Sequence, residues 1–258
     1  MIIKKILNFN FIMTKTLILI PSRMAATRLP GKPLLKINNL SIISHVYKRA
    51  EEANIGEVFV ATEDQEVLTD VLKNGGRAIL TNNDHKTGTD RIFEAYKNLD
   101  IKNVDYILNL QGDEPDINKD DIINLNNFMI NHDAELGTLA AIIQGDKMLN
   151  NKNVVKVILE NKLKENNFPK ALDFTRENLL INNQNIYHHI GIYSYKTSVL
   201  EKFVSLDQTN NEKKNKLEQL RALDNNLKIN VALAKSSPIG VDTEEDYIDI
   251  KKIMEYKI

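Results

Sequence analysis

Between Leu17 and Leu110, short apolar runs alternate with segments of helical period, an order that leaves a chain few ways to fold. Leu17–Ile20, Val58–Ala61 and Tyr106–Leu110 read as buried strands, the first ending at Pro21, and Arg77–Leu80 reads as another strand. Ser41 is placed to cap a helix running to about Ala53, with Ile42, Ile43, Val46 and Ala50 on one face. Asp64–Lys73 reads as a second helix, stopped by Gly75-Gly76. Thr89 is the expected cap of a third, which contains Ile92, Phe93 and Tyr96. This βαβα order predicts an α/β fold, a mostly parallel sheet flanked by helices. Right-handed crossovers then gather the loops that follow the strands along one edge.

The second half is mixed. Leu136–Ile143, Val154–Leu159 and Ile229–Ala234 read as strands, and Ile186–Tyr195 as an edge or interface strand. Leu217–Leu223 is helical, and an amphipathic helix starts at Thr243. Residues 160–185 are rich in Asn and Lys and have too weak a period to assign. Without repeat or linker, residues 14–258 are expected to form a single domain with an inserted flap. Residues 1–13 read as an extension. Asn8 and Asn10 interrupt their apolar part, no small-residue cleavage site follows, and Met13 offers an alternative start.

The first strand empties into Arg23-Met24-Ala25-Ala26-Thr27-Arg28-Leu29-Pro30-Gly31-Lys32-Pro33. Arg gives a planar fork of donors and Lys a compact charge, and both suit phosphate oxygens. Pro30 and Pro33 stiffen the loop, and Gly31 lets backbone come close to a ligand. The same residue types would also serve a basic surface loop. Net charge decides what such a loop can attract. With 34 basic and 35 acidic residues the formal charge is −1, so no global field draws nucleic acid or a membrane, and the cationic loop points to a local anion. No run is long enough to span a bilayer. The absence of cysteine excludes disulfides, thiolate metal sites and cysteine nucleophiles, and fits a cytoplasmic protein.

Two carboxylates fall near the same edge. Asp113, in Gln111-Gly112-Asp113-Glu114-Pro115, follows a strand directly, and Asp242 lies between the last strand and the last helix. Carboxylates facing a polyphosphate need a cation between them, and Mg2+ binds through one or two carboxylates plus phosphates and water. The other readings are a turn at Asp113, and at Asp242 or Thr243 a helix cap supported by Glu245 or Asp246. Asn83 to Arg91, with Gly88 at a helix entry, can offer backbone N–H groups to a base or phosphate. His188 and His189 are adjacent on a strand and point to opposite faces, so they do not share an ion; His189 suits hydrogen bonding to a sugar acid.

The string Arg-x-x-x-Thr-Arg-Leu-Pro-Gly-Lys-Pro resembles the N-terminal signature of the 3-deoxy-manno-octulosonate (Kdo) cytidylyltransferases. Gly88 to Arg91, Gln111 to Pro115, His189 to Tyr193, Leu217 to Arg221 and Gly240 to Thr243 resemble further motifs of that family in order, over roughly residues 16–255. The resemblance implies a nucleotide-sugar transferase (GT-A-like, Rossmann-like) fold with a dimerisation or substrate flap, a homodimer, and a cytoplasmic enzyme. The implied reaction joins CTP and Kdo to give CMP-Kdo and pyrophosphate, for lipopolysaccharide biosynthesis. It implies that Arg23, Arg28 and Lys32 handle the triphosphate and that Asp113 and Asp242 hold Mg2+, these five being catalytic. Thr27, Gly88, Thr89 and Gln111 complete the nucleotide site by the same resemblance. Gln111, Arg176, His189, Tyr193, Glu218 and Gln219 contact the sugar acid. The chain departs from the pattern at Met24 and Ala26, where Tyr and Ser are usual, in Glu177-Asn178-Leu179-Leu180, where Ala-x-Ile-Pro is common, and at Ser194 and Lys196. On sequence alone two alternatives stand: a transferase for an acylneuraminate or amino-Kdo, and a non-catalytic nucleotide-binding module.

Overall fold

The protein was analysed as a computed structural model that describes residues 14–25, 28–177 and 185–256. In chain order the first half holds β1 (Thr16–Ser22), a 3-10 turn (Lys32–Leu34), the small hairpin β2 (Lys36–Ile37) and β3 (Leu40–Ser41), α1 (Ile42–Glu52), β4 (Gly56–Thr62), α2 (Gln65–Lys73), β5 (Ala78–Leu80), α3 (Gly88–Asn98) and β6 (Tyr106–Asn109). The second half holds α4 (Lys119–Asn131), β7 (Leu136–Ala141), α5 (Gly145–Asn150), β8 (Lys156–Leu159), β9 (Ala171–Thr175), β10 (Ile186–Lys196), α6 (Thr197–Val204), α7 (Asn210–Asn215), α8 (Leu220–Asp224), β11 (Ile229–Leu233) and α9 (Glu244–Glu255).

The main sheet runs β11-β7-β10-β6-β1-β4-β5, with β8 and β9 attached to the side of β10. β1 pairs parallel with β4 and β6, β4 with β5, and β11 with β7, while β10 is antiparallel to both its neighbours. Six strands therefore point the same way, and the segments after β1, β6 and β11 leave from one edge. β1 is fully buried from Leu17 to Ile20, as its unbroken apolar run requires for a strand covered on both faces. One layer of core packs α1, α2 and α4 against the sheet through Ile43, Val46, Val67, Val71, Ile122 and Leu125. The other packs α3, α6 and α8 through Ile92, Ala95, Leu200, Phe203 and Leu220. Each of these side chains except Ala95 contributes about 1.5–3 kcal/mol relative to exposure. A third cluster, Ile37, Ile42, Val241, Ile250 and Met254, fixes α9 against the β2–β3 hairpin and so fixes the segment that carries Asp242.

Several elements differ from the sequence reading. The cap of α3 is Thr87: its hydroxyl accepts from Asp90 N and the Asp90 carboxylate accepts from Thr87 N, a reciprocal pair that leaves Thr89 inside the helix and buried. β10 is no edge strand. Tyr193–Lys196 lies between β6 and β7, and only its first residues reach out to β8. β7 stops at Ala141, leaving Ile142 exposed, and α8 begins at Leu220 after turns at Leu217–Gln219. The unassigned stretch 160–185 contains β9, which returns alongside β8 to make the flap. α4 has no clean apolar stripe in the sequence because Asp121 and Asn126 sit within its buried face beside Ile122, Leu125 and Met129, while Ile123, Phe128 and Ile130 flank it. Residues 1–13 lie outside the described residues.

The Leu217–Arg221 segment is held by a buried bidentate pair, in which Arg221 Nε donates to Glu212 Oε2 at 2.9 Å and Nη2 to Oε1 at 2.7 Å. Replacing Glu212 by Ala strands a guanidinium in the core, at an expected cost of about 3–5 kcal/mol. The Glu212→Leu/Arg221→Met double variant should recover most of that in urea titrations. Equal loss in the single and double variants would show that the pair does not govern the segment.

Candidate active site

At the shared edge the three departing segments meet in a cleft of about 320 Å³. The loop after β1 is tied down at its start, where Met24 N donates to Asp64 Oδ2 at 2.7 Å. It turns back at Gly31, whose φ of 73° is one that residues with a side chain rarely adopt. Gly31 N closes the loop on Met24 O at 3.1 Å, and Lys32 then starts the 3-10 turn. Gly112 lies so close to β1 that a Cβ there would stand 2.8 Å from the Pro21 carbonyl oxygen. That contact brings the β6 segment against the base of the cationic loop. The β11 segment joins them, because Val241 N donates to Asp113 O at 2.9 Å.

Asp113 and Asp242, 129 positions apart in sequence, thus share one cation. Lys32 Nζ stands 2.6 Å from Asp113 Oδ2 and 3.2 Å from Asp242 Oδ1, and donates to Val241 O at 2.8 Å. Arg28 Nη2 reaches Asp242 Oδ2 at 2.8 Å. Burial lowers the Lys32 pKa, but the two carboxylates outweigh it and hold the ammonium above its usual range. Thr243, with Asp246, is the cap of α9, so the Asp242 carboxylate is not the capping group. Next to Asp113, Glu114 is buried with one oxygen lacking a hydrogen-bond partner, and burial followed by the Asp113 charge pushes it up to about 8.

Arg23, Gly88 and Gln111 also line the cleft. So do His85, Lys86, Thr87 and Arg91, which sequence reasoning did not name as site residues. The Thr87–Asp90 spacing was the signal available, being that of a capping box. Arg91 is buried and bonds Glu63, Thr81 Oγ1 at 2.6 Å and Asn82 O at 3.2 Å, so it fixes the wall on that side. His85 pairs with Glu94. Thr27 lies outside the described residues.

The other named residues that are described are not in the cleft wall; His189 and Tyr193 pack together, with Arg176 and Glu218 within electrostatic reach of them, in a polar cluster beside it. Gln111 connects the two, donating from Nε2 to Gly191 O at 3.1 Å. That carbonyl is free to accept because β10 bulges, its register against β7 shifting between Ile190 and Tyr193. Thr138 Oγ1 holds the bulge, lying 2.6 Å from Ile192 O, 3.1 Å from Ile190 O and 3.0 Å from His189 Nε2. Its single proton goes to a carbonyl, so His189 Nε2 is the donor to Oγ1 and Nδ1 carries the lone pair. His189 packs edge-on to Phe174 and beside Tyr193, both buried. Burial, then the charges of His188 and Arg176, lower it to about 3. Burial also raises Tyr193 well above its usual range. Arg176 donates to Asn153 O at 2.9 Å; burial and the Arg28 charge lower its pKa, and Asp242 opposes them.

Glu218 follows the same logic with opposite sign. Burial raises its carboxyl to about 7, opposed by Arg221, whose Nη2 is 3.8 Å from Oε1, and by Thr89 and Thr87. Oε1 has no hydrogen-bond partner, and neither does Asn109 Oδ1, although Asn109 Nδ2 lies 3.4 Å from Thr89 Oγ1. Gln219 is buried beside them in sequence. Unmatched oxygens at this spot fit a ligand rich in hydroxyl groups. For a metal, the described residues contain no group of three or more His, Asp or Glu side chains of suitable geometry. The Asp113–Asp242 pair fits Mg2+, because that ion takes hard oxygens and leaves most positions to water and phosphate.

The His189 environment has a measurable consequence. In the unfolded chain the ring protonates near pH 6.5, and in the folded protein near 3. The unfolded state therefore binds more protons between these values, and stability falls as pH drops from about 6.5 toward 3. His189→Gln should flatten that slope, and the His189 ring signals in NMR spectra should not titrate from pH 8 to 5. A midpoint near 6 would refute the buried neutral ring.

The cytidylyltransferase family profile matches residues 17–229. A protein of Rhodopseudomonas palustris strain BisB18, named 3-deoxy-manno-octulosonate cytidylyltransferase, is 45% identical over 93% of this chain and 98% of its own length. A protein of the same name from Bartonella bacilliformis is 40% identical over 93% of this chain and 98% of its own. A solved structure described as CMP:2-keto-3-deoxy-manno-octonic acid synthetase complexed with CTP superposes with a TM-score of 0.86 at 33% identity, covering 95% of this chain and all of the other.

Proposed function

The chain belongs to the family of 3-deoxy-manno-octulosonate cytidylyltransferases, and from that premise we propose how its residues carry out the reaction. It is a nucleotidyltransferase that activates Kdo with CTP, giving CMP-Kdo and pyrophosphate. The observation that carries the residue assignment is the convergence of Arg28, Lys32, Asp113 and Asp242 on one cleft beside the β1 strand end. The anomeric hydroxyl of Kdo attacks the α-phosphorus in line, and pyrophosphate leaves. Such a transfer needs alignment and charge neutralisation and no covalent enzyme intermediate.

Arg23, Arg28 and Lys32 neutralise the triphosphate from the loop after β1. Gly88 and the N-terminus of α3 present N–H groups at the cleft wall. Asp113 and Asp242 hold Mg2+, which when bound supplies positive charge at the reacting phosphate. Gln111 stands between the cleft and the polar cluster, where donor and acceptor substrates have to meet. His189 offers its Nδ1 lone pair to a sugar hydroxyl, while Glu218 and Gln219 meet other hydroxyls. Arg176, near Arg28, takes the sugar carboxylate. Thr27, Thr89 and Tyr193 keep the roles the family resemblance gives them. The enzyme works as a cytoplasmic homodimer whose product serves lipopolysaccharide biosynthesis. Exposed Leu172 on the flap offers apolar surface for the dimer, and the described residues include no helix long and apolar enough to cross a membrane.

Pyrophosphate release in the presence of Mg2+ and Kdo tests nucleotide choice directly. CTP should be strongly preferred over UTP, ATP and GTP, and equal turnover of UTP and CTP would overturn the assignment.

Asp113→Asn and Asp242→Asn remove charge with little change of shape, and the Thr243–Asp246 cap of α9 remains in place. Loss of a charged contact of about 2–4 kcal/mol predicts a fall in kcat/KM on the order of 30- to 1,000-fold for each, with the fold retained by circular dichroism. The double variant should be little worse than either single one. Full activity in both single variants would dissolve the shared metal site.

A further inference from the structure

The two carboxylates that would hold the metal already have a cation between them. All three donors of the Lys32 ammonium have partners, namely Asp113 Oδ2 at 2.6 Å, Val241 O at 2.8 Å and Asp242 Oδ1 at 3.2 Å. Arg28 satisfies the other oxygen of Asp242 at 2.8 Å. The Lys32 side chain is only 16% exposed and Asp113 27%, so this is no surface pair formed in passing. Two positive groups thus meet two negative ones, and the charges of this cluster cancel before any ligand arrives.

A divalent ion coordinates carboxylate oxygens at about 2.1 Å. Lys32 Nζ, within hydrogen-bonding reach of both aspartates, stands where such an ion would have to sit, and like charges exclude each other at that range. We propose that Lys32 is an exchangeable counter-ion: it holds the Asp113–Asp242 pair in the nucleotide-free protein and moves to the triphosphate as the metal takes its place. This deepens the proposed function and rests on its assignment of Mg2+ to the two aspartates. Lys32 heads a three-residue turn directly after Gly31, and its flexible side chain can move without disturbing the backbone contacts that hold Asp113 to Val241.

The exchange has a sign that a fixed phosphate ligand would not give. Metal alone has to displace Lys32 while offering it no new partner, so metal binding to the free protein is weak. The triphosphate supplies that partner, so nucleotide and metal each strengthen the other, by the same factor in both directions. Removing Lys32 should then weaken the nucleotide and strengthen the metal.

Mn2+ binding, followed by electron paramagnetic resonance, tests this in the wild type, Lys32→Met and Asp113→Asn, each with and without saturating CTP and without Kdo. Without CTP, Lys32→Met is expected to bind Mn2+ at least about tenfold more tightly than the wild type, the size expected when a neighbouring like charge is removed. With CTP that advantage should vanish, and metal-free CTP should bind Lys32→Met more weakly. If Lys32→Met folds poorly by circular dichroism, Lys32→Gln takes its place. Equal or weaker Mn2+ binding by the Lys32 variant in the absence of CTP overturns the exchange while leaving the metal site intact, provided CTP-loaded wild type still holds Mn2+ more tightly than CTP-loaded Asp113→Asn. If those two hold it equally, the aspartate metal site itself falls and the exchange falls with it.

Discussion

Like charge is the problem that this fold has to manage. Two aspartates 129 positions apart in sequence are brought to one edge of a sheet, where a partly buried carboxylate without a counter-charge would be costly. The cationic loop answers that cost, and much of the architecture serves to bring the three segments together. The parallel strands aim the loops at one edge, Gly112 allows the β6 segment to touch β1, and the Ile37–Val241–Met254 cluster sets α9 and its preceding aspartate beside them. The ion cluster is thus the meeting point of contacts that are individually ordinary.

Next to this charged cleft lies a region governed by the opposite condition at several of its groups, where burial disfavours the charged form. Burial pushes His189 toward the uncharged ring and raises Glu218 and Glu114 toward the uncharged acid. A cleft of fixed charges suits a polyphosphate, whereas a cluster of neutral donors and acceptors suits hydroxyl groups. Gln111, itself uncharged and anchored on the β10 bulge, stands where the two conditions meet.

The four main strands of the first half were legible because each holds an apolar run, and its helices because each has one buried stripe, whereas the two-residue strands β2 and β3 are too short to show a pattern. The same rule explains the failures. α4 carries polar Asp121 and Asn126 within its buried face, which breaks up the stripe, and β10 alternates imperfectly because it changes partners along its length. The Thr87 cap was readable in the Thr-x-x-Asp spacing, yet the more obvious Gly88-Thr89 drew the assignment one turn position away. In the site, the cationic loop was legible as suited to an anion and Asp113 and Asp242 as carboxylates that need a cation, and the resemblance to a known family singled them out, but their direct pairing with Arg28 and Lys32 is formed only in the folded chain. The segment Asn83 to Arg91 was singled out for its backbone, but the pairings of Arg91 and His85 were not legible, because their partners Glu63, Thr81 and Glu94 come together only in the folded chain. The departures from the family pattern at Ser194 and Lys196 fall away from the cleft: Ser194 is buried within the sheet, and Lys196 pairs with Asp133 at the far end of β6. Asn178 to Leu180 lie outside the described residues.

The bulge in β10 also sets what lengths the strand can have. Between Ile190 and Tyr193 the partner strand β7 advances by one residue, from Leu139 to Thr138, while β10 advances by three. The excess is even, so residues before and after it keep their sides of the sheet, and His189 and Tyr193 face the same cluster. A single-residue deletion in this stretch would turn one half of the strand over, placing ring side chains where the opposite layer is packed. Deleting both extra residues would leave every face correct and the sheet sound, but would remove the outturned carbonyl that Gln111 holds. Among natural variants of this chain, length changes here are therefore tolerable for folding only in pairs, and even then not for the site.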